Sequence, residues 1–370
     1  FLLLKVKPRF ILLYPPQHFD PRFGAVKPDG ALGLLYLASA LRNGNFDVKV
    51  VDLSVGEQLS NLDEVFYTHE ELPTGKFRVG MTPKDIEKTV ADYDVIGVSS
   101  IFTAQTHAVE ETILTIRNAY PHKLIIMGGV NARSQAKRFL DLGVNLICNS
   151  EAEQTIIDIG NAIAANKSDF TAVPGVMFLK EGRVVSTRPA QALIDLDELP
   201  VPAWDLLPLD LYWRIARPHG GGFTEGAHVK YASMMTSRGC PFSCQYCHIS
   251  VEKEPGSITG NIGKFRTKSI GRVLEEIDVL KSLGVEYVFI EDDSLLAKVK
   301  RAIEIFRRIS EKGLQLADVN GINSVHMHEK RGGKLVVNEE LIEVMATAGF
   351  KKLIFPVESG SQSVIDKYAS

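Results

Sequence analysis

Apolar positions follow two different patterns along the first half of the chain. Short, nearly continuous runs of Val, Ile and Leu predict strands that are buried on both faces, and segments whose apolar residues recur every three or four positions predict helices. The predicted strands are residues 10–14, 48–52, 95–99, 124–127 and 144–148. The predicted helices are residues 32–43, 84–93, 105–119, 132–140 and 153–165. Because strand and helix alternate, the pattern predicts an α/β fold with a doubly wound parallel sheet.

The middle of the chain breaks this alternation. Residues 173–187 predict a short hairpin around the turn Glu181-Gly-Arg183. The stretch that follows is rich in proline, which predicts an extended path without a regular helix. We therefore predict a first domain over residues 1–190, a proline-rich connecting segment over 191–225 and a second domain over 226–370.

The second domain returns to alternating strands and helices. Its predicted strands are residues 231–236, 287–291, 316–320 and 352–357, and its predicted helices are residues 270–283, 298–312 and 338–348. The chain begins without methionine and ends inside a helical pattern, so we expect a fragment of a longer protein. Polar and charged residues follow the strands, which is where the reactive ends of a parallel barrel lie.

Composition narrows the class of protein. With 370 residues, of which 45% are hydrophobic, the chain is long enough for two cores. A net charge of −3 argues against electrostatic binding of nucleic acid. No apolar run reaches the roughly 18 residues that predict a membrane span. The apolar start is interrupted by charges and prolines, unlike a signal peptide, and four cysteines without a secretory leader indicate a reducing, cytoplasmic location.

Three of the four cysteines lie within eight residues, in the loop Cys240-Pro-Phe-Ser-Cys244-Gln-Tyr-Cys247. Three thiolates on one short loop can hold three irons of a [4Fe–4S] cluster and leave the fourth iron open to a small molecule. A structural zinc site is the alternative, with His248 as the fourth ligand. The remaining cysteine, Cys148, lies far upstream in an apolar run.

The segment from Tyr231 through this cysteine loop strongly resembles the radical S-adenosylmethionine enzymes. The resemblance implies a [4Fe–4S] cluster on the three cysteines, with S-adenosylmethionine chelating the open iron. It also implies a partial (β/α)6 barrel, of which the chain is expected to hold about four of the six β/α units.

The same resemblance implies residues that bind S-adenosylmethionine. Tyr246 matches the aromatic residue whose backbone contacts the adenine, and Glu358, followed by Ser359, matches the motif whose glutamate binds the ribose. A carboxylate after the second barrel strand, Asp292 or Asp293, suits the ammonium group of S-adenosylmethionine. The alternatives are helix capping for the two aspartates and an exposed ion pair for Glu358.

Small residues and turns follow the predicted strands of the first domain, where parallel sheets bind their ligands. Placed before the cysteine motif, this Rossmann-like domain resembles the cobalamin-binding domain of cobalamin-dependent radical enzymes. The likeness includes Tyr14-Pro-Pro16, Met127-Gly-Gly-Val-Asn131 and Ser150-Glu-Ala-Glu-Gln-Thr155. The cobalamin-binding residues that it implies are Pro15, Ser99, Ser100, Thr103, Gly128, Gly129, Asn131 and Glu151.

One departure bears on the cobalt. None of the nine histidines lies in a D-x-H-x-x-G motif, whose histidine replaces the cofactor's own base in methionine synthase and the carbon-skeleton mutases. We therefore expect base-off cobalamin with no protein histidine on the metal. For the loop at 99–105, the alternative is a plain strand-to-helix turn that Thr103 caps.

Enzymes with this domain order are mostly methyltransferases, so the resemblance implies methylation of an unactivated carbon through a 5′-deoxyadenosyl radical and methylcobalamin. The expected partners are a small-molecule or natural-product substrate and an external electron donor of the flavodoxin or ferredoxin kind. A cobalamin-assisted radical cyclase or rearrangement enzyme is one alternative, and a non-catalytic cobalamin sensor or carrier is another. Hydrogen abstraction by a radical needs no protein base, so no acid–base pair is predicted.

Overall fold

The computed structural model describes residues 7–24, 26–28, 30–218 and 229–369. The chain divides into two compact units. The N-terminal unit comprises Phe1–Ala192, Pro200–Arg217 and Ile258–Gly260, and the C-terminal unit comprises Leu193–Leu199, Pro218–Ser257 and Asn261–Ser370. The predicted proline-rich segment is thus shared between the two units. Residues 219–228, which include its end and the start of the second predicted domain, lie outside the described residues. The predicted domain boundaries stay predictions.

The N-terminal unit is built on a mixed sheet. The described strands of this unit are β1 (Phe10–Tyr14), β2 (Gln17–Phe19), β3 (Val48–Asp52), β4 (Glu70–Glu71), β5 (Phe77–Val79), β6 (Val95–Ser99), β7 (Leu124–Gly128), β8 (Leu146–Cys148), β9 (Val176–Lys180) and β10 (Arg183–Ser186). The main sheet has the order β10-β9-β8-β7-β6-β1-β3. Its five strands β8, β7, β6, β1 and β3 run parallel to one another. This confirms the predicted α/β fold with a parallel sheet.

Helices cover both faces of that sheet. They are α1 (Leu32–Asn43), α2 (Pro83–Val90), α3 (Thr106–Ala119), α4 (Val130–Ser134), α5 (Ala136–Asp141), α6 (Glu153–Ala164) and α7 (Leu209–Ile215). Ile11, Ile96 and Met127 alternate with their strand neighbours and so share one face, where they pack with Ile113 of α3 and Phe139 of α5. The burial of this face explains why the strands read as continuous apolar runs.

Four features of this unit differ from the predicted pattern. The helix predicted over 132–140 forms as two short helices, α4 and α5, separated at Gln135. The predicted hairpin forms as β9 and β10, but it also extends the main sheet because β9 pairs antiparallel with β8. A small sheet of order β2-β5-β4 was not predicted, since its strands are two or three residues long. Helix α7 lies within the predicted proline-rich connecting segment, where no helix was predicted. It begins directly after Pro208, because proline restrains only the residues up to a helix start.

The C-terminal unit contains a second parallel sheet. Its described strands are β11 (Tyr231–Met234), β12 (Ser237–Arg238), β13 (Arg266–Thr267), β14 (Tyr287–Ile290), β15 (Gln315–Asp318), β16 (His328–Arg331), β17 (Lys334–Val337) and β18 (Phe350–Lys352). Its described helices are α8 (His248–Glu252), α9 (Ile270–Ser282), α10 (Val299–Ser310), α11 (Glu339–Thr347) and α12 (Gln362–Tyr368). The four strands β11-β14-β15-β18 pair in parallel in that order.

The fourth predicted barrel strand is wrong in extent. Residues 352–357 were predicted as a strand, but β18 ends at Lys352 and Val357 is exposed. The backbone N–H of Ile354 donates to the Asp318 carboxylate at 3.3 Å instead of to a neighbouring strand. An apolar run has the same composition in a strand and in such a loop, so the sequence did not show where pairing stops.

Candidate functional site

The cysteine loop begins where two short strands, β12 and β13, pair at the carboxyl end of β11. Gly239 precedes the first cysteine with φ +74°, and a Cβ there would lie 2.4 Å from the carbonyl oxygen of Lys264. Glycine is therefore required at this entrance to the loop. The backbone N–H of Cys240 donates to the carbonyl of Gly263 at 3.2 Å, which ties the loop to the segment before β13.

The three loop cysteines form no disulfide and are partly exposed, whereas Cys148 is a buried thiol of the N-terminal unit. Partial burial raises the pKa of the Cys240 thiol, while a backbone hydrogen bond from Phe242 and the charge of Lys253 act against that rise. In the described residues no three His, Cys, Asp or Glu side chains are grouped so that they could share one metal ion. A cubane binds each thiolate through a different iron, so its ligands need not converge on one point. Three accessible thiols on one loop, none of them in a disulfide, fit such a cluster.

The two aspartates after β14 hold the start of the cysteine loop. Asp292 is fully buried and accepts hydrogen bonds from the backbone N–H and hydroxyl of Thr236 and from the Ser237 hydroxyl, each at 2.6 Å. Asp293 accepts one from the backbone N–H of Gly239 at 3.0 Å. Neither caps a helix, because α10 begins only at Val299, so the capping alternative is wrong.

Burial raises the pKa of the Asp293 carboxyl to about 6. A nearby cation would stabilise its ionised form and lower that pKa. Asp293 therefore has the electrostatic character of a group that gains from binding an ammonium.

The backbone around Thr236 is fixed by further polar contacts. Its carbonyl accepts hydrogen bonds from the Lys268 backbone N–H at 3.0 Å and from the Arg301 guanidinium at 2.9 Å. The Lys268 ammonium is buried and lies 2.5 Å from the carboxylate of Glu276, which is also buried. These groups fix the strand that leads into the cysteine loop.

The structure brings the Glu358 loop close to the cysteine loop. The backbone N–H of Gln245 donates to the carbonyl of Tyr368 in α12 at 2.9 Å. Partial desolvation, the Cys244 thiol and the charge of Glu358 together raise the pKa of the Tyr246 hydroxyl to about 12. Glu358 itself is exposed and has φ +61°, a backbone conformation that turns the chain sharply directly before Ser359.

In the N-terminal unit, the predicted residues line the carboxyl ends of β6 and β7. Gly129 has φ +104°, and a Cβ there would lie 2.3 Å from the carbonyl oxygen of Ser100. Asn131 is buried, and its side-chain amide donates to the hydroxyls of Ser100 at 2.8 Å and Thr106 at 3.1 Å. Gly129 and Asn131 therefore shape the loop after β6.

The residues that form the surface beside these loops are small or apolar. A Cβ at Gly128 would meet nothing within 4 Å. In the loop after β6, the side chains of Ile101 and Phe102 are 37% and 54% exposed. Open space next to exposed apolar side chains suits a broad ring with an apolar rim.

The other predicted residues of this unit have simpler surroundings. Pro15 is buried directly after β1, and Glu151 is partly exposed between β8 and α6. Thr103 is exposed, and its carbonyl, not its side chain, accepts the Thr106 hydroxyl at 2.8 Å. The alternative in which Thr103 caps a strand-to-helix turn has no support. The N-cap residues of the 3-10 turn at 103–105 and of α3 are Phe102 and Gln105, and neither makes a side-chain capping hydrogen bond.

Three further residues were not predicted as site residues. Asn149, directly after β8, is fully buried, and neither its amide nitrogen nor its amide oxygen has a hydrogen-bond partner among the described residues. His326 packs against Phe242 of the cysteine loop with ring centroids 5.4 Å apart, and its Nε2 is also buried without a partner in the described part of the chain. The ammonium of Lys253 donates to two loop carbonyls. The predicted strand 144–148 placed Asn149 at a strand end, but no sequence pattern showed that its amide is buried or that His326 and Lys253 contact the cysteine loop.

A buried amide without a partner costs about 1–3 kcal/mol unless water or a ligand pairs with it. Asn149 therefore offers an unpaired polar donor and acceptor at the same edge of the sheet as Gly128. A cofactor that combines an apolar ring with a polar tail fits this edge.

Two sequence-family models match the chain. The B12 binding domain matches residues 30–159, and the Radical SAM superfamily matches residues 234–369. The chain belongs to the cobalamin-dependent radical S-adenosylmethionine enzymes. The first model covers four of the five parallel strands, β3, β6, β7 and β8, together with Gly128 and Asn149. The second covers the cysteine loop and the Glu358 loop. Radical S-adenosylmethionine chemistry uses a [4Fe–4S] cluster, so the cofactors are this cluster, S-adenosylmethionine and cobalamin.

Curated relatives extend the match over most of the chain. An uncharacterized methyltransferase, PH0819, of Pyrococcus horikoshii is 26% identical over 97% of this chain and 67% of its own length. Cytidylyl-2-hydroxyethylphosphonate methyltransferase of Streptomyces wedmorensis is 27% identical over 90% of this chain and 62% of its own length. The chain thus spans about two thirds of these relatives.

A solved structure shares the fold. The cobalamin-dependent S-adenosylmethionine radical enzyme OxsB, with aqua-cobalamin and S-adenosylmethionine bound, has a TM-score of 0.70 and 19% identity, covering 98% of this chain and 46% of that one. At this identity the likeness shows the fold alone. Among the described helices, none has the length and hydrophobicity that crossing a membrane requires.

Proposed function

We propose that the protein methylates an unactivated carbon of a small molecule by cobalamin-dependent radical chemistry. The observation that carries the proposal is the cysteine loop, whose three partly exposed thiols lie at a parallel strand end near Glu358 and Asp293. A purely structural site has no need of an open iron flanked by carboxylates. The relatives named methyltransferases support the transfer of a methyl group.

When bound, the cluster and S-adenosylmethionine supply a 5′-deoxyadenosyl radical, and cobalamin supplies the methyl group. The residues of the chain bind and orient these groups and keep water away, and they need not move a proton. Cys240, Cys244 and Cys247 would bind three irons. The four parallel strands of the C-terminal unit would belong to a partial (β/α)6 barrel.

Three loops would bind S-adenosylmethionine. Glu358, with Ser359 beside it, would accept hydrogen bonds from the ribose hydroxyls, and the Tyr246 backbone would contact the adenine. Of the two aspartates, we assign the ammonium to Asp293. Asp292 already accepts three hydrogen bonds from the chain, whereas Asp293 accepts one and has the raised pKa that a cation relieves.

Cobalamin would bind at the carboxyl edge of β6, β7 and β8. The loop from Ser99 through Thr103, together with Gly128 and Pro15, would contact the ring. The polar nucleotide tail would meet Asn149 and Glu151. Gly129 and Asn131 would act indirectly, since Gly129 approaches the Ser100 carbonyl closely and Asn131 bonds the Ser100 side chain.

The proposal includes no histidine ligand to cobalt. His18 lies soon after β1 at this edge, but its Nε2 is 3.0 Å from the Glu111 carboxylate, and its side chain is 9% exposed. Its imidazole is thus engaged by the chain itself. An external one-electron donor of the flavodoxin or ferredoxin kind, in the cytoplasm, completes the proposed system.

Anaerobic incubation of the reconstituted whole protein with cobalamin, a reductant, methyl-labelled S-adenosylmethionine and candidate metabolites tests the proposal. We expect 5′-deoxyadenosine together with a labelled, carbon-methylated product. 5′-Deoxyadenosine with an unmethylated, rearranged or cyclised product would contradict methylation and favour the cyclase alternative. Cobalamin binding without any 5′-deoxyadenosine would favour the sensor or carrier.

A further inference from the structure

Lys253 makes a contact to the cysteine loop that neither the motif nor the family assignment anticipates. It follows α8 directly, and its partly buried ammonium donates hydrogen bonds to the carbonyl of Cys240 at 2.9 Å and to the carbonyl of Phe242. These carbonyls belong to the segment between the first and second cysteines. One side chain thereby holds the path of the chain between two proposed iron ligands.

This contact is specific to one part of the loop. The backbone N–H of Cys240 is held separately, by the carbonyl of Gly263, and that of Gln245 is held by α12. Lys253 thus holds the Cys240–Phe242 turn through hydrogen bonds to two of its carbonyls. Carbonyl oxygens carry partial negative charge and repel a thiolate-bound cluster, so an ammonium on them also screens that repulsion.

We propose that Lys253 is a positioning residue that holds the cysteine loop and makes the cluster easier to reduce. The inference deepens the proposed function and rests on it. A cubane with three thiolates has a net negative charge that grows by one when the cluster is reduced. A fixed positive charge beside the first thiolate stabilises the reduced form more than the oxidised form, so it raises the reduction potential.

The same residue could act through its hydrogen bonds alone, and three substitutions separate the two effects. Lys253→Arg keeps both charge and donors, Lys253→Gln keeps donors without charge, and Lys253→Met keeps neither. Lys300→Met is the matched control, because Lys300 is an exposed residue of α10 and its loss changes the net charge equally.

The readouts are iron and sulfide content after anaerobic reconstitution and the midpoint potential of the cluster by redox titration with electron paramagnetic resonance. We expect more negative potentials in Lys253→Gln and Lys253→Met, and a near-wild-type potential in Lys253→Arg and Lys300→Met. Iron content should fall most in Lys253→Met, since that variant loses the loop contacts as well. These measurements do not depend on turnover.

Each other outcome has a definite meaning. Equal potentials in all variants that hold a cluster would overturn the electrostatic role, and full iron content in Lys253→Met would overturn the positioning role. A shift of the same size in Lys300→Met would show a general charge effect and overturn the inference. Wild-type protein that takes up no iron would instead overturn the proposed function, and the inference with it.

Discussion

At the scale of single residues, the C-terminal unit concentrates its carboxylates where the parallel strands end, and each has a different environment. Asp292 is buried with three donors from the chain, Asp293 is held by one, and Glu358 is exposed. Asp318 ends β15 fully buried, and its Oδ2 accepts the backbone N–H groups of Gly321 and Ile354. Carboxylates that all follow or end parallel strands therefore differ in their burial and in the number of hydrogen bonds that they accept.

Replacing Glu358 tests its proposed contact with the ribose. Glu358→Ala should weaken S-adenosylmethionine binding to the reconstituted protein by on the order of 1.5–3 kcal/mol, the usual loss for a hydrogen bond to a charged group. Formation of 5′-deoxyadenosine should fall in parallel. The measurements are equilibrium binding and product quantification, with Glu343→Ala, on an exposed position of α11, as the control. Unchanged binding would show that Glu358 does not contact the cofactor.

The buried Asp318 predicts a pH-dependent stability. Burial raises its pKa from 3.8 to about 6, so the folded state binds the proton more tightly than the unfolded state between these values. The contribution of Asp318 to the free energy of unfolding therefore falls as pH rises through this window, and the cost is complete above about 6. Asp318→Asn removes the buried charge but keeps an acceptor for both N–H groups.

Relative to wild type, Asp318→Asn should gain about 1–3 kcal/mol in stability when the pH rises from about 5 to about 7.5. Denaturant unfolding of both proteins at the two pH values measures this difference. The same difference at both pH values would mean that Asp318 titrates normally.

The buried amide of Asn149 predicts opposite effects on stability and binding. Asn149→Leu has the same branching as asparagine and removes two unpaired polar atoms, so the protein without cobalamin should unfold at an equal or higher temperature. Its affinity for cobalamin should fall on the order of tenfold, the equivalent of about 1.4 kcal/mol. Its affinity for cobinamide, which lacks the nucleotide tail, should not change.

Spectral titration with the two corrinoids measures both affinities, and Asn161→Leu on the exposed side of α6 is the control. Equal losses for cobalamin and cobinamide would place Asn149 at the ring and not at the tail. Lower stability with unchanged cobalamin affinity would give the amide a purely structural role.

At the scale of elements, the loops after parallel strands decide what each unit can bind. The turn at the end of β7 contains two adjacent glycines with different constraints. Gly129 has a positive φ and lies against the Ser100 carbonyl, whereas the space around the Cβ position of Gly128 is open. The fold therefore requires glycine at position 129, whereas the open space beside Gly128 is available to a ligand.

Alanine at these two positions separates the two constraints. Gly129→Ala should destabilise the N-terminal unit by roughly 1–3 kcal/mol or more, because its positive φ is strained for alanine and its Cβ would clash with the Ser100 carbonyl. Gly128→Ala should leave the unfolding temperature almost unchanged but weaken cobalamin binding, because the added methyl group occupies the proposed ring position. Thermal unfolding and corrinoid titration measure both effects. Undiminished affinity in Gly128→Ala would place the ring elsewhere.

At the scale of the whole molecule, each of the two units has a sheet with parallel strands and would provide one of the two proposed cofactor sites. Each site uses the carboxyl ends of its own strands. The B12 binding domain and the Radical SAM superfamily match these units separately. The combined chemistry therefore requires both units, although each sheet has its own core.

The state of the cobalt is a property of the assembled protein that spectroscopy reports directly. We expect the electron paramagnetic resonance spectrum of the cob(II)alamin form to lack the triplet splitting that an axial nitrogen produces. The physical reason is that no D-x-H-x-x-G motif is present and that the imidazole of His18 is held by Glu111. Free cob(II)alamin with its own base coordinated is the positive control, and triplet splitting in the protein would refute base-off binding without a histidine.

Much of this protein was determined by local sequence. The apolar runs placed the five parallel strands of the N-terminal unit within one or two residues, because a strand buried on both faces needs continuous apolar side chains. The cysteine spacing indicated the cluster, because three ligands on one loop depend only on neighbouring residues. Short-range constraints such as these are written in the order of the residues.

Tertiary structure decided what depends on distant neighbours. It set the end of β18, because Ile354 bonds the Asp318 side chain instead of a strand. It gave Asp292 three donors from Thr236 and Ser237, brought Lys253 to the carbonyl of Cys240, and buried the Asn149 amide without a partner among the described residues. Each of these depends on which groups the fold brings within hydrogen-bonding distance, and no spacing along the chain specifies that.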